Sequence, residues 1–339
     1  MNTQKNYTLE LLKLFASYMV VFIHVMFYGE IGIIMDTLAR FAVPLFFLIS
    51  GYYSFRIKPE KIKKRIRHIL GLIIFSTVCY TLYNIVILLS KGTVDGIVSY
   101  FEKFLNIGTL IKIFIFNVPV SSVHLWFLLA LVYTYFAFYF ATVFRFNEKA
   151  MFIISFLLLF LHILLGECLS SVGIVIPIPI VRNFALMGIP FFALGLFTKK
   201  HENKLRSIPN YALIIAAAIG IFESLFSRYF FGKNELYVGS LLILFAIVVV
   251  FIKYPTVKYP LFFNALSGCS TYVYIFHIMI SSVILQIYKL FTIDFNTSII
   301  LKYAHPIIVC FASTIFAYGI IQLLNILSSV KCSFIKKQK

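Results

Sequence analysis

Long apolar runs separated by short polar segments occupy almost the whole chain. They lie near residues 8–28, 38–55, 68–90, 122–144, 150–170, 180–198, 210–229, 237–253, 269–289 and 299–328. Runs of this length suit helices that cross a hydrocarbon core about 30 Å thick. Lipid offers no hydrogen-bond partner to an open backbone, so helices are the expected elements. The pattern predicts an all-α, polytopic transmembrane helical bundle of about ten spans. The sixth run holds Pro177, Pro179 and Pro190, which predicts a kinked or broken helix there. The longest connection, about 91–121, contains IKIFIFN, which reads as a short interfacial helix. Neither an internal repeat nor a low-complexity tract stands out. Residues 1–339 are expected to form a single integral membrane domain with no appended soluble domain.

Composition supports the membrane reading. Hydrophobic residues make up 61% and charged residues 12% of the chain, against about 25% charged in soluble domains. The net charge of +18 raises the idea of a nucleic-acid partner. The basic residues sit between apolar runs, however, so membrane orientation explains them and no nucleic acid is expected. With the N-terminus inside, twenty of the 30 Lys and Arg fall in inner segments and nine in outer ones, while Lys13 lies within the first run. This asymmetry predicts a multi-pass protein of the cell membrane with both termini cytoplasmic. The first run lacks a signal-peptidase site and reads as an uncleaved helix. The five cysteines are scattered without CxxC spacing, so neither a metal site nor a disulfide framework is expected.

Three polar residues interrupt the first run, LELLKLFASYMVVFIH: Glu10, Lys13 and His24. A charge at the bilayer centre costs roughly 2.5–3.5 kcal/mol on insertion scales, so such residues need a partner or a use. Lys13 and His24 are eleven residues apart, close to three helical turns, which puts both on one face about 16 Å apart along the axis. Glu10 stands three residues before Lys13, within pairing reach. The spacing draws a polar stripe from the cytoplasmic mouth into the outer half of the membrane. It fits either a snorkelling lysine with a histidine bonded between helices or a lined path with a base at depth.

Four segments carry a resemblance. LELLK followed by ten residues and His24 is similar to the opening of the integral-membrane acyltransferase-3 family, which has an acid, an Arg and a His. RFAVPLFFLISGYY (Arg40–Tyr53) resembles that family's second span with its FFxISG ending. HLWFLLALVY (His124–Tyr133) is similar to its xLWFL segment, and STYVYIFHIMI (Ser270–Ile280) to its TYxxYLxH segment. The segments occur in matching order over nearly the whole chain. Lys13 stands where the family usually has Arg; it keeps the charge and loses the planar fork. RFAVPLFFLISGYY also resembles the membrane domain of vancomycin-resistance serine racemases, without the racemase domain.

The resemblance implies an enzyme that moves an acyl group, usually acetyl, from cytoplasmic acetyl-CoA or another acyl-CoA. The acceptor would be a hydroxyl of a cell-envelope glycan or a similar small polar molecule, reached across the lipid bilayer. His24 would be the essential histidine, acting as general base or transient acyl carrier, with Glu10 and Lys13 at the entrance. The run RIKPEKIKKRIRHI (Arg56–Ile69) is first a topology signal. Within it Lys64, Arg65 and Arg67 would hold coenzyme phosphates, the guanidinium groups bidentately. Trp126 reads as an interfacial anchor or, with His124, Arg40 and His277, as part of the acceptor side. Arg182, Glu167, Glu223, Arg228 and His305 also fall near outer ends of spans. A transporter or exporter of a small polar solute, such as serine or an acylated precursor, would use a polar stripe and a broken span equally well. A non-catalytic envelope sensor would bind without turnover.

Overall fold

The computed structural model describes residues 7–255, 266 and 268–337. Lys5, Lys258 and Lys339, counted on the inner side above, lie outside them. Regular structure among the described residues is helical. In chain order it runs α1 (Tyr7–His24), α2 (Gly29–Leu38), α3 (Ala42–Tyr52), α4 (Pro59–Ser90), α5 (Val94–Leu105), α6 (Ile107–Phe116), α7 (Trp126–Val143) and α8 (Glu148–Ile163). There follow α9 (Leu169–Ser171), α10 (Ile178–Val181), α11 (Ile189–Lys200), α12 (Glu202–Arg206), α13 (Asn210–Phe231), α14 (Val238–Lys253), α15 (Cys269–Leu290) and α16 (Ile299–Lys337).

The sequence marks many of these boundaries. Pro59 opens α4, where its missing N–H costs nothing. Asn106 caps α6 through Gly108 N, and Asn147 caps α8 through Lys149 N. Gly92 and Gly232 follow the ends of α4 and α13 with φ of +69° and +89°, a conformation that glycine adopts without steric cost. The expected break near residue 180 is present. A short α10 begins after Pro177 and stops at Arg182. Asn183 is extended, and its side chain caps Ala185 N and Leu186 N as the chain re-enters helix.

Seven helical stretches are long and apolar enough to cross a membrane: Gly29–Tyr52, Pro59–Ser90, Val123–Val143, Glu148–Ser171, Asn210–Phe231, Cys269–Leu290 and Ile299–Leu327. The protein is therefore a polytopic helical membrane protein. The second crossing starts earlier than the apolar pattern suggests, because α2, with Glu30 and Asp36, continues through Ala39–Phe41 into α3. The other three expected spans coincide with α1, the broken α10–α11 stretch and α14. The IKIFIFN segment falls in α6, which buries none of its residues.

The chain divides into two compact units, Met1–Ala42 with Val250–Lys339, and Val43–Val249. In the first, α1, α15 and α16 pack together. Leu14 and Val21 lie on one face of α1 at seven-residue spacing, and Val25 follows four residues on, just past its end. With Cys269, Val273, Val309, Cys310 and Ala317 they form one buried cluster. Tyr18 Oη and Thr314 Oγ1 share a hydrogen bond of 2.7 Å across it.

In the second unit, Gly51 and Gly195 let α3 and α11 approach backbone to backbone. A Cβ at Gly51 would overlap the Phe192 carbonyl oxygen, and one at Gly195 the Leu48 carbonyl oxygen. Small residues at such crossings permit the van der Waals contact that drives helix association in lipid. The glycine of the FFxISG-like segment is thus explained by packing.

Candidate active site

Helix α1 carries the polar stripe as its spacing requires. Lys13 Nζ donates to Glu10 Oε1 at 2.8 Å, an i,i+3 ion pair whose side chains are about one-fifth to one-quarter exposed. Partial burial strengthens such a pair relative to an open surface one. Eleven residues on, His24 is the last residue of α1 and is exposed.

His24 lies against a second histidine. Its ring centroid is 5.4 Å from that of His277, with the planes tilted by 37°. His277 stands mid-helix on α15 and is fully buried. Its Nδ1 lies 2.7 Å from the Tyr274 carbonyl oxygen and 3.2 Å from that of Val273. A carbonyl only accepts, so Nδ1 carries the proton and Nε2 keeps its lone pair in the neutral ring. The pair therefore joins a buried ring of fixed tautomer to an exposed one. The α1–α15 packing creates it. Val21 of α1, Val25 just after it and Val273 of α15 share the buried cluster beside it.

Arg40, in the same unit, is buried and ion-paired through Nη2 with the equally buried Asp36 one turn earlier. Its Nε also reaches the Asp36 carbonyl oxygen at 3.2 Å. Removing either partner would strand the other charge in an apolar interior. His305 of α16 is buried too, with Nε2 3.0 Å from Ser281 Oγ.

The second unit holds the remaining candidates. His124 is buried in the turn before α7, with Nδ1 2.7 Å from Ser122 Oγ and Nε2 3.4 Å from Tyr80 Oη. The interfacial reading of Trp126 does not hold, because the indole is only 4% exposed. The Arg182 guanidinium lies 5.4 Å from its ring centroid and 3.6 Å from Glu235. Arg182 is held at the helix break by this cation–π contact and ion pair.

The basic residues of α4 separate into two kinds. Lys64 and Arg67 are exposed. Arg65 turns inward: Nη1 donates to Ser54 Oγ at 2.7 Å and to Tyr135 Oη at 3.2 Å, and Nη2 donates to the Tyr53 carbonyl at 2.9 Å. These bonds pin the end of α3 to α4 and α7. Beside them stands a network that the sequence reading missed. Tyr52 Oη donates to Glu202 Oε2 at 3.0 Å, and Lys199 and Arg206 each donate to the same carboxylate at 2.6 Å. Burial pushes the Glu202 carboxyl up, but hydrogen bonds from Lys199, Arg206 and Tyr52 outweigh it and hold the group below the ordinary carboxylate range.

Two further groups were not singled out by their partners in the sequence. Glu167 accepts from Ser227 Oγ and from Val238 N at 2.8 Å, and Glu223 accepts from Gly239 N. Two carboxyl groups from α13 and the π-turn after α8 thus meet the N-terminus of α14, where backbone N–H groups favour negative charge. His162, one turn before Glu167 on α8, is buried as well.

Comparison with known proteins is consistent with this frame. The family described as an acyltransferase domain (Acyl_transf_3) matches residues 6–325. No curated protein and no solved structure gives a significant match. With the family matched over most of its length and the helices of a polytopic membrane protein, the chain belongs to the acyltransferase-3 family of membrane-bound acyltransferases.

Proposed function

We infer that the protein transfers an acyl group, in the first instance acetyl, from a coenzyme A thioester to a hydroxyl of a cell-envelope glycan or similar polar acceptor. The observation that carries this reading is the His24–His277 contact at the end of α1 opposite the Glu10–Lys13 pair. His24 is the reachable ring and serves as general base. It takes the proton of the acceptor hydroxyl as that oxygen attacks the thioester carbonyl. The tetrahedral intermediate collapses, the C–S bond breaks, and the coenzyme leaves as the thiolate, to be protonated by the histidine. An alternative course lets His24 carry the acyl group briefly before the hydroxyl attacks. His277, its Nδ1 proton held by two carbonyls, packs against His24 and fixes where that ring sits.

Glu10 and Lys13 are assigned to the donor end of the same helix, and the exposed Lys64 and Arg67 to the phosphates of the coenzyme, while Arg65 is taken up by its bonds to Ser54, Tyr135 and the Tyr53 carbonyl. Arg40 and His277 in one unit, and His124 and Trp126 in the other, are the acceptor-side candidates. The Lys and Arg distribution supports ten crossings with both termini in the cytoplasm of a cell membrane. The test is transfer of labelled acetyl from acetyl-CoA by purified, reconstituted protein. Label on an acceptor hydroxyl supports the reading. Solute uptake or export without thioester cleavage would instead favour a transporter.

A further inference from the structure

Between α7, α8 and α11 an apolar groove of about 300 Å³ runs along the surface of the second unit. Its walls include Phe138, Ala141, Phe144, Ile154, Phe192 and Leu196. Several of its aromatic rings face outward, with Phe144 75% and Phe140 52% exposed. In a polytopic membrane protein such a face meets hydrocarbon rather than water. A second hollow of about 350 Å³ adjoins it, sharing Phe138, Ala141, Phe146, Met151 and Leu196 with the groove. That hollow is lined by Arg56, Arg145 and Lys200, with Glu148 as its one carboxylate. Lys200 pairs with Glu148 at 2.9 Å, which leaves the two arginines as the net charge of the mouth. An apolar trough ending in paired guanidinium groups complements a lipid chain ending in a phosphate.

A second observation bears on the same two arginines. Arg56 and Arg145 both adopt left-handed backbone, with φ of +56° and +50°. Arg145 is the second residue after α7, just past the C-cap Phe144, where Phe146 N bonds to the Ala141 carbonyl at 2.8 Å and Arg145 N to the Thr142 carbonyl at 3.3 Å. This bonding pattern at a helix end normally selects glycine. An arginine there holds a backbone conformation that its Cβ disfavours. Strain of this kind is tolerated where the side chain has a use. Two such residues line the rim of one hollow, on segments that the Lys and Arg distribution assigns to the cytoplasmic side. The inner leaflet carries anionic lipid.

We propose that this groove is a binding site for one anionic phospholipid, with an acyl chain along the Phe-lined trough and the phosphate held by Arg56 and Arg145. The protein, delipidated in a neutral detergent, is titrated with phosphatidylglycerol, phosphatidylcholine or coenzyme A while thermal unfolding is followed, and retained lipid is counted by native mass spectrometry. Phosphatidylglycerol should raise Tm by on the order of 3–5 °C, with one lipid retained. Phosphatidylcholine should leave Tm unchanged, and any shift that coenzyme A gives at its own donor site should be the same in the wild type and in the groove variants below.

The Arg56→Gly/Arg145→Gly variant removes the charges and the strain together. It should therefore fold at least as stably without lipid, and it should lose the phosphatidylglycerol shift. Ala141→Trp, which fills the trough and leaves the arginines, should lose the shift as well. A shift that survives either variant would overturn the proposal. So would an equal shift with phosphatidylcholine, or a coenzyme A shift that Arg56→Gly/Arg145→Gly abolishes, which would make the hollow a donor site.

Discussion

The imidazole rings of His24 and His277, 253 residues apart in sequence, lie with centroids 5.4 Å apart. One is exposed at the end of α1 and the other is buried within α15. The proposed function gives the two rings separate duties, with His24 meeting the substrate and His277 setting its position. His277→Ala should cost about 2–3 kcal/mol through the cavity it leaves. Well below its lowered Tm, it should still show transfer reduced by at least about tenfold, less than the roughly hundredfold or more that the base itself supplies. Thermal unfolding and transfer rate measured on one preparation check this. Full activity in a destabilised variant would reduce His277 to a packing residue.

The glycine crossing of α3 and α11 predicts a steric effect. Gly195→Leu should drive the two helices apart, because even a Cβ there would overlap the Leu48 carbonyl. Overpacking of this kind costs about 1–3 kcal/mol. Because Lys199 and Glu202 follow on the same segment, the variant should also weaken the Tyr52–Glu202 hydrogen bond. Differential scanning fluorimetry in detergent gives the loss of Tm, and an unchanged Tm would contradict the close approach.

Glu202 predicts a pH dependence. Its carboxyl lies below the ordinary range in the folded protein. The stability it contributes is therefore present above the unfolded carboxylate pKa and is lost as pH falls through the lower folded value. Tm of the wild type should drop more steeply between about pH 5 and pH 3 than that of Glu202→Gln. Parallel acid limbs in the two proteins would sink the assignment.

Much of α1 was legible in the sequence. Helical period alone places Glu10 beside Lys13 and sets both on the face of His24, because these relations are local. The Asp36–Arg40 pair was equally local, at i,i+4, yet the apolar run was read as starting at 38. Two acidic residues in α2 lower its hydropathy, although the helix continues through them. The His24–His277 contact depends on how α15 packs on α1, and no periodicity carries that information. The same holds for Glu202, whose partner Tyr52 is 150 residues away. Arg65 looked like Lys64 and Arg67 in the sequence. Only the fold shows it turned inward, because Ser54, after α3, and Tyr135 of α7 are distant in sequence and meet it only in the packed structure.

That difference within α4 yields a kinetic prediction. Lys64→Gln/Arg67→Gln should leave Tm unchanged and raise the donor KM by at least about tenfold, or about 1.4 kcal/mol of binding. The acceptor KM should stay constant. Arg65→Gln, which removes three hydrogen bonds, should lower Tm by itself. An unchanged donor KM in the double variant would return the exposed residues to a purely topological role.

The central claim, that His24 is the base of an acyl transfer, is tested most directly by single-turnover transfer of labelled acetyl in proteoliposomes. Acetyl-CoA is enclosed on one side and a hydroxylated acceptor is supplied on the other. The wild type should label the acceptor, and His24→Ala, correctly inserted and with an unchanged Tm, should label it at least about a hundredfold more slowly. Equal rates in the two proteins would contradict the account.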